Sequence, residues 1–310
     1  MSEPAPDLRV KLGALELNNP VMVASGTFGY GPEYANLVDI DRLGALVVKG
    51  IRMQPTTGNF TPRAVEVASG MINAIGLPGP GVEGFIEMYI PFLETLTVPV
   101  IVNVWGCTIE EYGEVAARLD QVNRVDALEL NVSCPNIKQG STMFGTQPEM
   151  VEQVVRHVRE HTRKMIIPKL APNVADVPRF AQICEGAGAD AISLINSVPA
   201  MAIDIETRRP VLANTTGGLT GPAIHPIAVK QVWEAAGAVS IPVIGMGGIV
   251  SAKEAIEFMI AGATAVAVGT ANFSDPTVSL DVIDGIAEYL SRHGMRSVNE
   301  LVGSIDLRKG

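Results

Sequence analysis

Short apolar runs punctuated by turn-forming residues recur along the chain: Pro20–Gly26, Ala45–Gly50, Val98–Val104, Ala127–Val132, Met165–Leu170, Ala189–Ile195, Ile241–Gly245 and Thr264–Gly269. They are rich in Val, Ile and Ala and do not alternate cleanly with polar residues, the pattern of strands covered on both faces. Between them lie stretches with helical spacing or helix-start signals, among them Glu110–Val122, Glu149–His161, Val177–Ala187, Ile227–Ala236 and Ala252–Ala261. Ser251 followed by Glu254 reads as a capping box for the last of these, and Gly262 as its stop. Eight βα units without a composition break or low-complexity linker predict a closed (β/α)8 TIM barrel, a single domain over residues 1–310.

Arg9–Leu17, with Gly13 at its turn, predicts a short N-terminal hairpin covering the barrel floor. Longer non-helical stretches follow the second strand (Ile51–Gly81), the fourth (Ser133–Pro148) and the sixth (Ser197–Pro222). All three lie on the carboxyl side of their strands, where such barrels build their chemistry, so the loop pattern points to an enzyme.

Composition narrows the function classes. With 47% hydrophobic and 18% charged residues, the chain can bury a large core. A net charge of −10 without a basic run makes nucleic acid a poor partner. Met259–Ala271 holds Gly and Thr and falls short of the roughly 18 apolar residues of a membrane span, so no membrane association is expected. The start, Met1–Val10, carries Pro and acids rather than a signal-peptide pattern. Cys107, Cys134 and Cys184 are odd in number and lack CxxC spacing, which argues against a disulfide framework and a zinc site and fits a reducing cytoplasm.

Candidate chemistry clusters at the ends of the strands. Gly245-Met246-Gly247-Gly248-Ile249 follows the seventh strand and Gly269-Thr270 ends the eighth, so both loops can present free backbone N–H groups to a phosphate. Lys49 and Lys169 end otherwise apolar strands, where an ammonium needs an anion or an exit to water. On the second and fifth strands of one barrel they converge over its mouth. Asn103, Asn131 and Asn196 mark three more strand ends, and an amide suits a ring carrying alternating C=O and N–H groups, although any one of them also serves as a turn cap. Cys134 sits just past the fourth strand, with Pro135 holding it extended. Cys184 reads as a buried helix residue and Cys107 as ambiguous. His157 and His161 read as a solvated helix face, His225 opens a helix, and His293 lies in the tail; no metal is expected on this chain.

Taken in order, Asn73-Ala74-Ile75-Gly76-Leu77, Asn131-Val132-Ser133-Cys134-Pro135-Asn136, Ile195-Asn196-Ser197, Gly217-Gly218-Leu219-Thr220-Gly221-Pro222 and the Gly245–Ile249 loop closely resemble the class 1 dihydroorotate dehydrogenases, almost end to end. Lys49-Gly50, Met143-Phe144-Gly145-Thr146 and Met201-Ala202-Ile203-Asp204-Ile205 resemble the NAD-linked class 1B catalytic subunit in particular. The resemblance implies FMN at the barrel mouth and oxidation of (S)-dihydroorotate to orotate in de novo pyrimidine synthesis. Cys134 would be the general base, removing the C5 proton while hydride passes from C6 to flavin N5.

By similarity, FMN contacts fall on Ser25, Lys49, Gly50, Asn103, Asn131, Lys169, Ile195, Gly221, Gly247, Gly248, Gly269 and Thr270. Substrate contacts fall on Lys49, Asn73, Ala74, Ile75, Gly76, Leu77, Asn131, Asn196 and Ser197. The resemblance further implies a partner subunit with FAD and a [2Fe-2S] cluster that reduces NAD+, and a heterotetramer containing a homodimer of catalytic chains. One departure stands out: family members often carry an Asn shortly after the Gly-Leu of the first substrate loop, whereas this chain reads Gly76-Leu77-Pro78-Gly79-Pro80-Gly81. The competing expectations are the fumarate-linked class 1A enzyme, a flavin barrel acting on dihydropyrimidines and, more distantly, a phosphate-ligand barrel without redox chemistry.

Overall fold

The computed structural model describes residues 5–132 and 144–308. Eight strands run parallel: β1 (Val21–Val23), β2 (Leu46–Ile51), β3 (Val100–Val104), β4 (Ala127–Asn131), β5 (Met165–Lys169), β6 (Ile192–Leu194), β7 (Val243–Met246) and β8 (Ala265–Val268). Their order around the sheet is the order in the chain, with β8 beside β1. A parallel bridge between Met22 and Ala45, with Gly44 N donating to Val21 O at 2.7 Å, joins β1 to β2 and closes the sheet. The expected (β/α)8 barrel is the observed fold.

Strands read as apolar runs are buried on both faces: every residue of β3, β4 and β5 is buried. The outer ring holds seven α-helices among the described residues: α1 (Gly81–Leu93), α2 (Ile109–Asp120), α3 (Pro148–His161), α4 (Val177–Gly186), α5 (His225–Ala236), α6 (Ala252–Ala261) and α7 (Val278–Arg292). Each α-helix buries a stripe; on α3 it is Val151, Val154, Val155 and Val158, the spacing of one helical face. Starts are fixed chemically: the Thr108 side chain accepts from Glu111 N and the Asp176 side chain from Arg179 N. Ser251 accepts from Lys253 N and donates to Glu254, and Gly262 ends α6 in the left-handed region at φ 120°.

The first connection differs from a regular βα unit. Between β1 and β2 the chain forms only a 3-10 turn, Ile40–Arg42, because glycines with positive φ at 26, 29 and 31 and Pro32 interrupt any helical run. α1 and α7 have weak sequence signals: neither start is capped by a side chain, and α1 contains Pro91.

The N-terminal hairpin pairs Val10–Leu12 with Leu15–Leu17 and turns at Gly13. The Gly13 backbone packs against the Met165 side chain and the Asp190 carbonyl, at the N-terminal ends of β5 and β6, which is the barrel floor. At the opposite end, the long connections after β2 and β6 are not irregular throughout. Ala64–Val67 and Gly70–Asn73 from the first, with Val198–Ala200 and Gly217–Thr220 from the second, form one four-stranded antiparallel sheet.

Packing sets the position of the glycine-rich loop after β7. The fully buried Phe258 ring of α6 lies against Gly245, where an added Cβ would come within 2.7 Å of Phe258 Cδ1. Phe258→Ala is therefore expected to cost about 3–5 kcal/mol of stability through the cavity it leaves, read as a lower urea midpoint at unchanged slope.

Candidate active site

Where the strands end on their carboxyl side, a cavity of about 410 Å³ opens, inside the usual ~300–1,000 Å³ of small-molecule sites. It draws one or more residues from nearly every strand end. Ser25 follows β1, Lys49 and Gly50 lie on β2, Asn103 on β3, Asn131 on β4, Lys169 on β5, and Ile195, Asn196 and Ser197 follow β6. Gly247 and Gly248 follow β7, Gly269 and Thr270 follow β8, and Gly221 enters from the connection after β6. From the loop after β2 come Asn73, Ile75, Gly76 and Leu77.

Ala74 departs from the expectation. It is 1% exposed and packs with Ile72 and Leu212 on the other face of its strand, away from the cavity. Its N–H donates to Arg63 O at 2.8 Å and its carbonyl accepts from Asn59 Nδ2 at 3.0 Å, so its backbone offers a ligand nothing. Alternation along an extended segment accounts for this, since it sends neighbours Asn73 and Ile75 one way and Ala74 the other. Cys134, with Ser133, Pro135 and Asn136, lies outside the described residues.

The cavity wall is polar in a patterned way. Asn196 Nδ2 donates to Asn131 Oδ1 at 3.2 Å, Asn196 Oδ1 accepts from Ser197 N at 2.8 Å, and Asn131 O accepts from the Tyr112 hydroxyl at 2.8 Å. These bonds hold the amides as a connected row rather than as separate turn caps. Lys49 is different: among the described residues its ammonium forms no hydrogen bond or ion pair. Burial, and then the positive charge of Arg63, pull its pKa below the ordinary lysine value, with Glu33 acting weakly the other way. An ammonium held in a cavity under those conditions favours an anionic ligand.

The glycine loop fits a close-approaching group. Gly248 has φ 70° and a Cβ there would stand 2.8 Å from Gly221 O, so backbone rather than side chain faces the cavity at this corner. His225, at the start of α5, lies behind the loop with Nδ1 3.0 Å from Gly247 O and Nε2 3.0 Å from Glu257 Oε2. Gly248→Ala is expected to destabilise the fold, because the left-handed backbone and the Gly221 carbonyl leave no place for a Cβ, and this is read as a lower urea midpoint.

A residue that the pattern reading passed over is central here. Glu129, in the middle of β4, is 3% exposed and accepts from Ser25 Oγ at 2.9 Å, Asn103 Nδ2 at 2.7 Å and Ser193 Oγ at 2.9 Å. Lys169 Nζ stands 3.7 Å from Glu129 Oε1 and donates to Ser25 Oγ at 3.3 Å. A carboxylate inside the run Ala127-Leu128-Glu129-Leu130-Asn131 was the available signal, because a buried charge requires partners.

The remaining candidates separate from the cavity. Cys184 is fully buried in α4 and burial pushes its thiol up to about 12. Cys107 is also raised by burial, and its N–H donates to Glu111 Oε2 beside the Arg52 pair rather than facing the cavity. His157, Glu160 and His161 bring their ligand atoms within 4.8 Å of one another on the outer ring, with Glu160 and His161 exposed. At Gly79, where the family resemblance led to the expectation of an Asn nearby, a Cβ would stand 2.9 Å from the buried Tyr30 hydroxyl.

Comparison with known proteins agrees with this arrangement. The profile of the family described as dihydroorotate dehydrogenase matches residues 7–290. The catalytic subunit of dihydroorotate dehydrogenase B (NAD(+)) from Geotalea daltonii is 53% identical over 302 residues, covering 97% of this chain and 99% of its own. The proteins of the same name from Citrifermentans bemidjiense and Geobacter sulfurreducens are 52% and 51% identical over the same shares of the two chains.

Proposed function

Because this chain belongs to the dihydroorotate dehydrogenase family, we propose that it is the catalytic subunit of an NAD-linked dihydroorotate dehydrogenase, oxidising (S)-dihydroorotate to orotate. The observation that carries the reading is the cavity itself: Lys49, unpaired among the described residues, a row of amides and two glycine corners meet at the carboxyl ends of the barrel strands.

FMN fits what lines it. Gly247, Gly248, Gly269 and Thr270 would hold the phosphate, and Ser25, Gly50, Asn103, Asn131, Lys169, Ile195 and Gly221 the rest of the molecule. When bound, FMN would supply the acceptor for the hydride that leaves substrate C6.

The chain's own groups do the rest. Lys49 and the backbone of Ile75, Gly76 and Leu77 receive the substrate carboxylate, so a local cation answers an anion despite the net charge of −10. The amides of Asn73, Asn131 and Asn196 and the Ser197 hydroxyl match the ring's alternating donors and acceptors. Cys134 takes the C5 proton as general base, from a ring those amides hold in one orientation.

Electrons then leave through a partner. Four thiolates hold a [2Fe-2S] cluster and this chain has three scattered cysteines, which supports an electron-transfer subunit carrying FAD and the cluster and reducing NAD+. The relatives' own name, catalytic subunit, supports the presence of a partner subunit; two catalytic chains in a heterotetramer are what the family resemblance implies. Among the described residues no helix is long and apolar enough to cross a membrane.

An anaerobic visible spectrum of the purified chain tests the reading. A flavin band that bleaches on adding dihydroorotate supports cofactor and substrate together. A band that persists refutes the substrate, and a chain that cannot bind flavin refutes the mechanism.

A further inference from the structure

We infer that Glu129 is a positioning residue of the flavin site: from beneath the cavity floor it holds Lys169, Asn103 and Ser25 in place and offsets the charge that Lys169 presents to the ring. This rests on the flavin reading above and deepens it.

The placement follows from the strands. Ala127, Glu129 and Asn131 share one face of β4. Asn131 lines the cavity, and Glu129 sits one layer further down, outside the lining. Such interior layers are usually filled by branched aliphatic side chains. Here the layer is a carboxylate whose neighbours in register bring the partners: Asn103 pairs with Glu129 across β3 and β4, and Lys169 pairs with Asn131 across β4 and β5.

Every group bonded to Glu129 is buried or lines the cavity. Asn103 is 1% exposed, Lys169 6% and Ser193 0%, while Ser25, Asn103 and Lys169 also line the cavity. The carboxylate therefore ties three cavity groups to one point. A structural role alone would be met by a neutral acceptor, since glutamine keeps a carbonyl oxygen for Asn103 and Ser25 and an amide for Ser193. What glutamine cannot supply is the negative charge. In a dry interior that charge is poorly screened, so it acts on whatever Lys169 acts on.

Reduction adds negative charge to the bound ring, so the sign of each change is fixed. Removing the carboxylate leaves an uncompensated cation beneath the ring and favours the reduced form. Removing the ammonium leaves an uncompensated anion and favours the oxidised form. Removing both returns the site close to its starting balance.

The test is the midpoint potential of FMN bound to the purified wild-type chain, E129Q, K169M, the E129Q/K169M double variant and S193A, each by equilibration with a redox dye. E129Q is expected to move the equilibrium toward reduced flavin by about tenfold, which is about 30 mV upward for a two-electron couple. K169M is expected to move downward, and the double variant to lie between the two. S193A removes one bond to Glu129 and no charge, and its potential is expected to stay at the wild-type value. An E129Q potential at or below the wild-type value overturns the inference. If E129Q does not fold, the double variant decides, because it buries no unmatched charge: a potential as low as that of K169M alone overturns the inference equally. A yellow wild-type chain with an unshifted E129Q refutes the role of Glu129 only, whereas a wild-type chain unable to bind FMN refutes the flavin reading and this inference with it.

Discussion

Replacing Cys134 with serine is expected to slow reduction of bound flavin by dihydroorotate by about 10²–10⁴-fold, the usual contribution of a positioned general base. The oxidised spectrum should not change, because the substitution removes no group proposed to hold the cofactor. The measurement is anaerobic stopped-flow at 450 nm, a wavelength at which oxidised flavin absorbs, with substrate saturating so that only the chemical step is read. The pH profile adds a second signature. A thiol is a base only as thiolate, and an ordinary thiol ionises near about 8.5, so the wild-type rate should rise with pH through that region. Serine has no accessible anion there, and its residual rate should be flat. A variant that reduces at the wild-type rate would remove Cys134 from the role.

Lys49→Met should produce the second large effect, on binding rather than chemistry. Methionine keeps most of the stem's volume and loses the ammonium that has no other partner among the described residues. A hydrogen bond to a charged group contributes about 1.5–3 kcal/mol, so orotate should bind about 10- to 100-fold more weakly, measured by perturbation of the flavin spectrum. The lowered pKa of Lys49 gives this a pH dependence whose sign can be worked out. A lowered lysine pKa means that the cation is lost at a lower pH than for an exposed lysine, so affinity for the substrate anion falls as pH rises. The thiol and the ammonium thus act in opposite directions: kcat climbs with pH while kcat/KM climbs and then bends over. Loss of the downward limb in Lys49→Met, with the upward limb retained, would assign each to its residue.

The barrel was legible because its strands are buried on both faces, and a run such as Ala265–Val268 has no polar face to confuse with a helix. The cavity residues were legible for the converse reason, since Lys49 and Asn131 are polar where the surrounding run is apolar. Glu129 broke the same rule and was absorbed into the run, since at mid-strand it lacked the end position that marks an active-site residue. The four-stranded sheet over the mouth was not legible. Ala64–Val67 is only partly covered and Gly217–Thr220 opens with two glycines, so neither carries a strand's hydrophobic signature. Ala74 was assigned from its neighbours in a motif, and the alternation of the backbone placed it on the opposite face.

That four-stranded sheet also limits how the enzyme's selectivity can change. Gly217–Thr220 pairs directly with Gly70–Asn73, with Gly218 opposite Asn73 and Leu219 opposite Ile72. Two segments distant in the chain are therefore cut to a common length, and an insertion of one residue in either slides the ladder and turns Asn73 away from the cavity while turning Ala74 toward it. On the substrate contacts proposed above, the heritable unit of specificity is the pair, and a graft that carries one segment into another barrel without its mate should arrive misregistered.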